Sequence, residues 1–361
     1  MNNILLADYA KYNLIKADGC ICNASYLHLN NQRYLIARNC NYSFIKTINS
    51  NNEIVAYGCW PCNINYNSSE ILYNINNYNC TVNKTLSKVI PEDIIKYKYV
   101  GDEDIRVVNW NEPILTFTRV NITPQQLQFN NFKSNIVSVN LNDNYDFINE
   151  TVIETTAQVE KNWQPIEHMP YTYVYSYKPF KLINIKTKEF TIIANNVDLN
   201  YCGSTGVINY NNYHITLVHT KNRTTNDYLH YLVKFDDAMN IIAISKPFKF
   251  FGCNVEFSVY MENQNNIIVL LVSVHDQITY EFILEQKLID ALFNNIEPSN
   301  NSYYNMLLND TLCNKNILAA LSFSTFVNDT NIAKKWLKNS LQLNLNLHDK
   351  FLYQQSLIGN L

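Results

Sequence analysis

Glycine is scarce in this chain: its 361 residues include only 7 Gly, beside 9 Pro and 16% charged residues. No G-x-S-x-G turn is present, which excludes the usual nucleophile elbow of serine hydrolases. No apolar run reaches the roughly 18 residues that a membrane-spanning helix needs. The formal net charge of -3 gives no electrostatic reason to expect nucleic acid as a partner. We therefore expect a protein that binds neither nucleic acid nor membrane.

The amino-terminal segment carries Asp8 and lacks the continuous apolar core of a signal peptide. The 9 cysteines are odd in number and scattered, which is typical of a reducing compartment. Cys59 and Cys62 form a C-x-x-C pair, but they lie in strand-turn-strand sequence instead of a zinc knuckle. We therefore expect a cytoplasmic protein with no metal and no other cofactor. The Asn-rich composition is typical of an AT-rich genome such as that of a giant virus, in which case the compartment is the host cytosol.

Short β segments dominate the chain from about Asp18 to Asp290. They are rich in Ile, Val, Tyr and Thr, alternate loosely, and recur about every 10 to 15 residues between polar turns. No long helical periodicity interrupts them, so a βαβ sheet is excluded. The clearest segments read RYLIARNC, RVVNW, ILTFTRVNI, YTYVYSY, YHITLVHT, YLVKFD and NIIVLLVSV.

A larger repeat is visible above the single strands. A polar entry followed by paired strands occurs at NASYLHLNNQRYLIAR, DEDIRVVNWNEPILTFT and GSTGVINYNNYHITLVH. Repeated sheets arranged radially form a β-propeller, which closes on itself and leaves few exposed edges. The sequence therefore predicts an all-β fold and favours a propeller, with a double-sheet sandwich as the main alternative.

The pattern changes after Asp290, where apolar residues recur at three- and four-residue spacing. We interpret residues 299–361 as a helical carboxy-terminal tail and residues 1–298 as the propeller. Within the tail, Ile332 and Trp336 lie on one amphipathic face that something must cover. The tail packs on the propeller, or it docks a protein partner or a second copy of the chain.

The strongest local feature is GDEDIRVV, in which Asp104 and Arg106 lie near the start of a predicted strand. A carboxylate beside a guanidinium can serve as a general acid or base, because its neighbours set its pKa. The alternative is an acidic turn held by a salt bridge. No second carboxylate that would work with Asp104 is evident, so a two-carboxylate glycosidase is not indicated.

Five segments resemble motifs of glycoside hydrolase family 130, in the family's order over most of residues 18–290. They are NASYLHLNNQRYLIAR, GDEDIRVV, EKNWQP, CGSTGVINYNNYHITLVH and SVHD. That family comprises β-mannoside phosphorylases and some hydrolases, and related β-1,2-mannosyltransferases share its fold. The resemblance implies a five-bladed propeller that acts on an oligosaccharide or other small-molecule substrate, with inorganic phosphate or a sugar nucleotide as the second reactant.

The resemblance also implies roles for individual residues. Asp104 matches the acid that protonates the leaving glycosidic oxygen. The remaining matched residues would bind substrate or phosphate: Arg38, Arg106, Lys161, His219 and Asp276. Asn162 and Trp163 of the EKNWQP segment are further candidate contacts, and so is Glu256, which lies at the start of a predicted strand independently of the resemblance. Clustered cationic donors suit a phosphate or a diphosphate.

Two of these assignments have equally weighted alternatives. Trp163 with the alternating tyrosines of YTYVYSY would form a sugar-stacking platform, or the same rings would only pack between sheets. Glu256 would bind substrate, or it would be a buried structural carboxylate.

The chain departs from the family pattern at Ala24, Ile105 and Cys202, and Cys202 replaces an arginine of many relatives. This loss weakens phosphorolysis in particular. The sequence thus favours a phosphorylase or related sugar transferase. A catalytically silent glycan- or protein-binding propeller and a hydrolase on the same scaffold are the alternatives.

Truncation after residue 298 tests the division of the chain. If the tail docks to a partner, the shortened protein stays soluble and melts in one cooperative transition, because the propeller keeps its own core. Calorimetry of the full and shortened chains measures this. Loss of cooperative melting would show that the tail belongs to the propeller core.

Overall fold

The computed structural model describes most of the chain up to residue 298. The described residues are 3–17, 21–40, 43–48, 54–60, 66–86, 99–122, 133–153, 155, 157, 159–194, 200–222, 227–253, 255–294 and 296–298. Residues 299–361, and with them the predicted helical tail, lie outside the described residues. No helix in the described part is long and apolar enough to cross a membrane.

Two antiparallel groups of four strands make up the first half. They join into one eight-stranded sheet through a short parallel pairing of β7 (Tyr66–Asn76) with β9 (Tyr99–Asn109). A separate hairpin, β5–β6, is inserted between β4 and β7. The strands are β3 (Cys22–Leu29), β4 (Gln32–Cys40), β5 (Ser43–Ile48), β6 (Ile54–Trp60), β7 (Tyr66–Asn76), β8 (Asn79–Thr85), β9 (Tyr99–Asn109), β10 (Pro113–Ile122), β11 (Lys133–Leu141) and β12 (Phe147–Ile153).

The second half contains a four-stranded sheet and a seven-stranded sheet. The four-stranded sheet consists of β13 (Gln164–Pro165), β14 (Thr172–Tyr177), β15 (Phe180–Asn184) and β16 (Glu189–Ile192). The seven-stranded sheet consists of β1 (Ile4–Leu5), β17 (Cys202–Gly203), β18 (Ile208–Tyr210), β19 (Tyr213–Asn222), β20 (Asp227–Phe235), β21 (Ile241–Ile244) and β22 (Phe248–Lys249).

The last sheet joins the two ends of the described chain. It contains β23 (Glu256–Gln264), β24 (Ile267–Val274) and β25 (Ile278–Leu284), and its fourth strand is β2 (Lys11–Ile15). Strand β2 pairs antiparallel with β25 along its whole length. A strand from the beginning of the described chain thus completes the last sheet.

Both faces of the central strands are buried, and they contact different hydrophobic clusters. In β24, Leu270 and Val272 pack in a cluster with β19 and β20, whereas Val269 and Leu271 pack in a cluster with β3 and β4. Side chains alternate between the two faces of a strand, so this sheet lies between two neighbouring sheets. A two-layer sandwich buries only one face of each sheet, and the structure excludes it.

The fold is thus a nearly all-β propeller, as predicted from the sequence. Every strand segment quoted above coincides with an observed strand. The number of five blades stays a prediction, because the hydrogen-bonded sheets contain 8, 7, 4, 4 and 2 strands.

One α-helix in the described residues, α1 (Gln286–Phe293), starts before the predicted helical boundary. It lies at the end of the region that the sequence suggested was β. Its residues Leu288, Ile289 and Leu292 are buried against the cluster around β24. This one-sided burial fits helical spacing, and it packs the helix in the same hydrophobic cluster as β24.

Asparagine replaces glycine in the tight turns. Hairpin turns of two residues need positive φ angles at both positions, which glycine usually provides. Here Asn30–Asn31 joins β3 to β4, and Asn265–Asn266 joins β23 to β24, with φ angles between 51° and 68°. Asparagine tolerates this region better than other non-glycine residues. The abundant asparagines thus have a structural use in a glycine-poor chain.

Replacing Asn266 tests this. The residue is exposed and has φ 68°, so Asn266→Val should lower the free energy of unfolding by about 1–2 kcal/mol because a β-branched side chain clashes there. The control, Asn266→Gly, should change stability little. Denaturant titration measures both, and equal stabilities would contradict the turn assignment.

Candidate functional site

Two β-bulges place Asp104 and Asn23 beside each other. In β9, two residues oppose Phe117 of β10, and Asp104 takes the left-handed conformation with φ 63°. In β3 the pairing with β4 shifts between Cys22 and Ser25, and Asn23 has φ 46°. Bulges turn a side chain out of the regular alternation and are frequent next to active sites. Left-handed backbone at non-glycine residues costs free energy, which the surrounding structure must supply.

Asp104 is held firmly at one of its two carboxylate oxygens. Asn23 donates from Nδ2 to Oδ1 of Asp104 at 2.6 Å, and the backbone N–H of Asn23 donates to Ser273 Oγ at 2.5 Å. Arg38 Nη1 lies 3.6 Å from the same Oδ1. Asp104 is 9% exposed, so most of its surface is enclosed by the protein.

Glu103 bridges two of the predicted phosphate-binding cations. Its Oε1 accepts from Arg38 Nη2 at 2.7 Å and its Oε2 accepts from Lys161 Nζ at 3.0 Å. Burial acts to raise the pKa of Glu103, but Arg38 and Lys161 outweigh it and lower the pKa to about 2. The ion pair with Glu103 raises the pKa of Lys161 in turn. The side chain of Lys161 remains 43% exposed and can still meet a ligand.

Arg106 supports the backbone of the site. Its Nε donates to the Ser204 carbonyl at 2.8 Å and its Nη1 to the Asp104 carbonyl at 3.1 Å, while Asn162 Oδ1 lies 3.5 Å from Nη2. Burial lowers the pKa of Arg106 to about 10, although the nearby negative charge of Asp104 acts to raise it. The guanidinium therefore stays charged at neutral pH and links β9 to the sheet that contains β17.

His219 meets the site through Ser204. Its Nδ1 lies 2.8 Å from Ser204 Oγ, and Ser204 is the residue whose carbonyl binds Arg106. Burial lowers the pKa of His219 well below its usual range, with His230 and Arg106 adding to the effect. A neutral imidazole can position a ligand by hydrogen bonding, but it adds no positive charge for an anion.

Contacts in the structure therefore connect Asp104, Arg38, Arg106, Lys161, Asn162 and His219. Asp276 lies in the turn between β24 and β25, with φ 54°. Gln277, the next residue, accepts the N–H of Ile21 at its carbonyl, and Ser273 binds Asn23. The turn that holds Asp276 is thus tied to the strand that positions Asp104.

Glu256 and Trp163 have structural partners. Glu256 is fully buried, and its carboxylate accepts the backbone N–H groups of Phe250, Phe251 and Cys253, each at 2.8 Å. These bonds favour the structural alternative for Glu256. Trp163 is 1% exposed and donates to Glu160 at 2.9 Å. Of the two alternatives for Trp163, its burial favours packing between sheets over a sugar-stacking platform.

Sequence reasoning missed the carboxylate network behind Asp104. Arg119 forms paired hydrogen bonds with both Asp102 and Glu150. Glu70 in β7 lies directly opposite Arg38 in β4 and is fully buried. The sequence signal for Glu70 was a single acidic residue inside the strand segment SSEILY. No group of His, Cys, Asp and Glu in the described part of the chain could hold a metal ion, and Cys62 lies outside that part.

Comparison of the sequence with protein-family profiles and with characterised proteins gave no match. Solved structures do match. A β-1,2-mannobiose phosphorylase from Listeria innocua, bound to β-1,2-mannobiose, has a TM-score of 0.50 at 13% identity, covering 78% of this chain and 93% of that one. This likeness supports the propeller fold.

Two structures from Leishmania mexicana are also similar. A mannose phosphorylase in complex with a phosphate ion has a TM-score of 0.48 at 10% identity, covering 80% of this chain and 92% of that one. A GDP-Man-dependent mannosyltransferase has a TM-score of 0.44 at 10% identity, covering 81% and 94%.

Glu103→Gln tests the electrostatics of the site. Because the pKa of Glu103 is lower in the folded than in the unfolded protein, its ionised form stabilises the fold at pH values above the unfolded-state pKa. This stabilisation is lost as the pH falls through about 2. The variant should therefore be less stable by about 2 kcal/mol at pH 7, and the difference should shrink below about pH 4.5. Denaturant unfolding across this pH range measures it. The exposed Glu189→Gln serves as control, and a pH-independent difference would contradict the ion-pair assignment.

Proposed function

We propose that this protein is a carbohydrate-active enzyme that transfers a hexosyl unit, with Asp104 as its single general acid and base. The observation that carries the proposal is the setting of Asp104. It lies in a strained bulge, and a network of contacts links it to Arg38, Lys161, Arg106 and His219. Strained backbone beside clustered titratable groups is typical of functional sites.

The contacts of Asp104 support different roles for its two carboxylate oxygens. Oδ1 is engaged by Asn23 and Arg38, so we assign proton transfer to Oδ2. During cleavage, Oδ2 gives its proton to the glycosidic oxygen as the bond from that oxygen to the anomeric carbon breaks. An oxygen of phosphate or of another acceptor forms the new bond from the opposite face, which inverts the anomeric centre. In the synthetic direction, Asp104 removes a proton from the acceptor hydroxyl.

A β-mannoside phosphorylase or a related sugar transferase is the form of this enzyme that we favour. Lys161 is the most exposed cation of the network, and His219 and Arg106 meet at Ser204. The phosphate ion and the GDP-Man dependence are named for the two Leishmania proteins. By analogy, we propose that this chain also binds phosphate or a sugar nucleotide.

Hydrolysis on the same scaffold is the second candidate. Glu103 already engages both Arg38 and Lys161, so an incoming phosphate would compete with this carboxylate for the same donors. Water, which is neutral, would meet no such competition. This competition for Arg38 and Lys161 is the observation that makes hydrolysis the second candidate.

Asp104→Asn tests the proposal. The amide keeps the shape of the side chain and removes the proton, so turnover should fall by about 10² to 10⁴ while the fold is kept.

Lys161→Ala and His219→Ala should mainly weaken binding of phosphate or sugar nucleotide. The loss should be roughly 1.5–3 kcal/mol for the charged hydrogen bond of Lys161 and less for the neutral His219. The substrates are manno-oligosaccharides with and without phosphate, then GDP-mannose or mannose 1-phosphate with acceptors.

The outcomes separate the alternatives. Phosphate-dependent cleavage identifies a phosphorylase, and phosphate-independent cleavage identifies a hydrolase. Asp143→Asn, an exposed acid in the turn between β11 and β12, is the matched control and should keep full turnover. If wild type turns over none of the substrates and Asp104→Asn binds glycan with unchanged affinity, the silent propeller is correct.

A further inference from the structure

A polar cavity of about 290 Å³ lies between strands of different sheets, away from the candidate site. Its lining comes from β3, β9, β23 and the segments around β13 and β18. In β9, Asn109 lines the cavity, whereas Asp104 lies five residues earlier. Five residues of extended chain span roughly 16 Å. The cavity is therefore separate from the site at Asp104.

The same spacing of five residues occurs in three further segments, each with one residue in the candidate site and one in the cavity lining. Strands β3 and β9 run in the same direction, because β4 reverses the chain between β3 and β7 and β7 is parallel to β9. The segments around β13 and β18 are also parallel. The site and the cavity thus lie at opposite ends of these strands. The three pairs are Asn23 and His28, Asn162 and Glu167, and Ser204 and Asn209.

The charged groups of the cavity are two carboxylates and a histidine. His28 Nε2 lies 3.3 Å from Glu262 Oε2. Burial acts to raise the pKa of Glu262, but hydrogen bonds from His28 and Tyr260 outweigh it and lower the pKa. Glu167 accepts the backbone N–H of Asn209 at 2.8 Å. No Lys or Arg is among the lining residues in the described part of the chain. Two carboxylates repel an anion, so the cavity suits a ligand without negative charge.

Two asparagine side chains add hydrogen-bond donors to these acceptors. Asn109 is exposed, and its amide makes no hydrogen bond within the described residues. Asn209 Oδ1 lies 2.9 Å from His214 Nδ1, which leaves the Nδ2 of Asn209 as a donor. A ligand must therefore donate to the carboxylates and also accept from the amides. A hydroxyl group does both, whereas an ammonium group only donates.

The rest of the lining is apolar and the space is small. Val107, Val207 and Ile208 contribute apolar surface beside the polar groups. A pyranose ring has the same mixture, because its hydroxyls surround apolar C–H faces. Pockets for drug-sized ligands begin at roughly 300 Å³, so this cavity fits a single ring better than an oligosaccharide.

We propose that this cavity binds one neutral sugar ring, as a second site that is separate from Asp104. Glu167 and Glu262 accept hydrogen bonds from the ring hydroxyls, and Asn109 and Asn209 donate to them. The proposal does not rest on the proposed function, because the described lining includes neither Asp104 nor any cation of its network.

Titration of the full chain with the methyl glycosides of mannose, glucose and galactose, followed by ligand-observed NMR, tests the proposal. At least one glycoside should bind. Asn109→Ala should weaken this binding about fivefold, and Glu167→Gln about tenfold because its hydrogen bond is charged. Asn144→Ala, an exposed residue between β11 and β12, is the matched control and should change nothing. If none of the three glycosides binds, the proposal is wrong.

Asp104→Asn locates the bound sugar. This variant should keep the affinity that Asn109→Ala weakens, because the two residues lie at opposite ends of β9. Loss of binding in Asp104→Asn, with unchanged affinity in Asn109→Ala, would place the sugar at Asp104 and overturn the proposal. The melting temperature of each variant is the folding control, and Glu167→Gln decides if Asn109→Ala does not fold.

Charge selectivity gives a further readout. The uronic acid of the ring that binds should bind about tenfold more weakly than its methyl glycoside, because Glu167 and Glu262 repel its carboxylate. Glu262→Gln should reduce this difference. Equal affinity of the uronic acid, or tighter binding of the diamine putrescine than of every glycoside, would contradict a site for a neutral sugar.

Discussion

The architecture depends on one constraint, which is that the sheet containing β24 has two apolar faces and both must be covered. Strand β24 shows this most directly, since its alternate residues enter two separate hydrophobic clusters. A stack of two layers leaves the outer faces in water, so sheets of this kind are stable only when neighbours flank both sides. The radial arrangement and the pairing of β2 with β25 follow from that requirement.

The same arrangement explains how residues far apart in sequence meet. Asn23 and Asp104 are 81 residues apart, yet both lie in bulges of strands that face each other across the two groups of the eight-stranded sheet. The bulges interrupt the regular alternation and present polar side chains where a regular strand would present apolar ones. The site is therefore made from local irregularities on a regular scaffold.

The sequence predicted the fold class well, because the composition and spacing of β segments such as YHITLVHT are local properties. It also identified Asp104 and several cations that the structure brings together. It could not predict what each buried side chain contacts. Trp163 and Glu256 show this limit: an aromatic ring or a carboxylate has the same sequence signature whether it faces a ligand or packs inside. Glu70 was missed because its meaning depends on Arg38, which belongs to a different strand and lies 32 residues earlier in the chain.

The pairing of β2 with β25 also sets the order of events during synthesis. Residues 11–15 leave the ribosome long before their partners at 279–283, which follow only after the strands in between have been made. Until then β2 is a free strand, and the sheet that it completes does not exist. Contacts of such long sequence separation form slowly, because closing a large loop costs entropy before any contact repays it. The nascent chain thus passes through a long period in which β2 is unpaired, and unpaired strand edges favour aggregation.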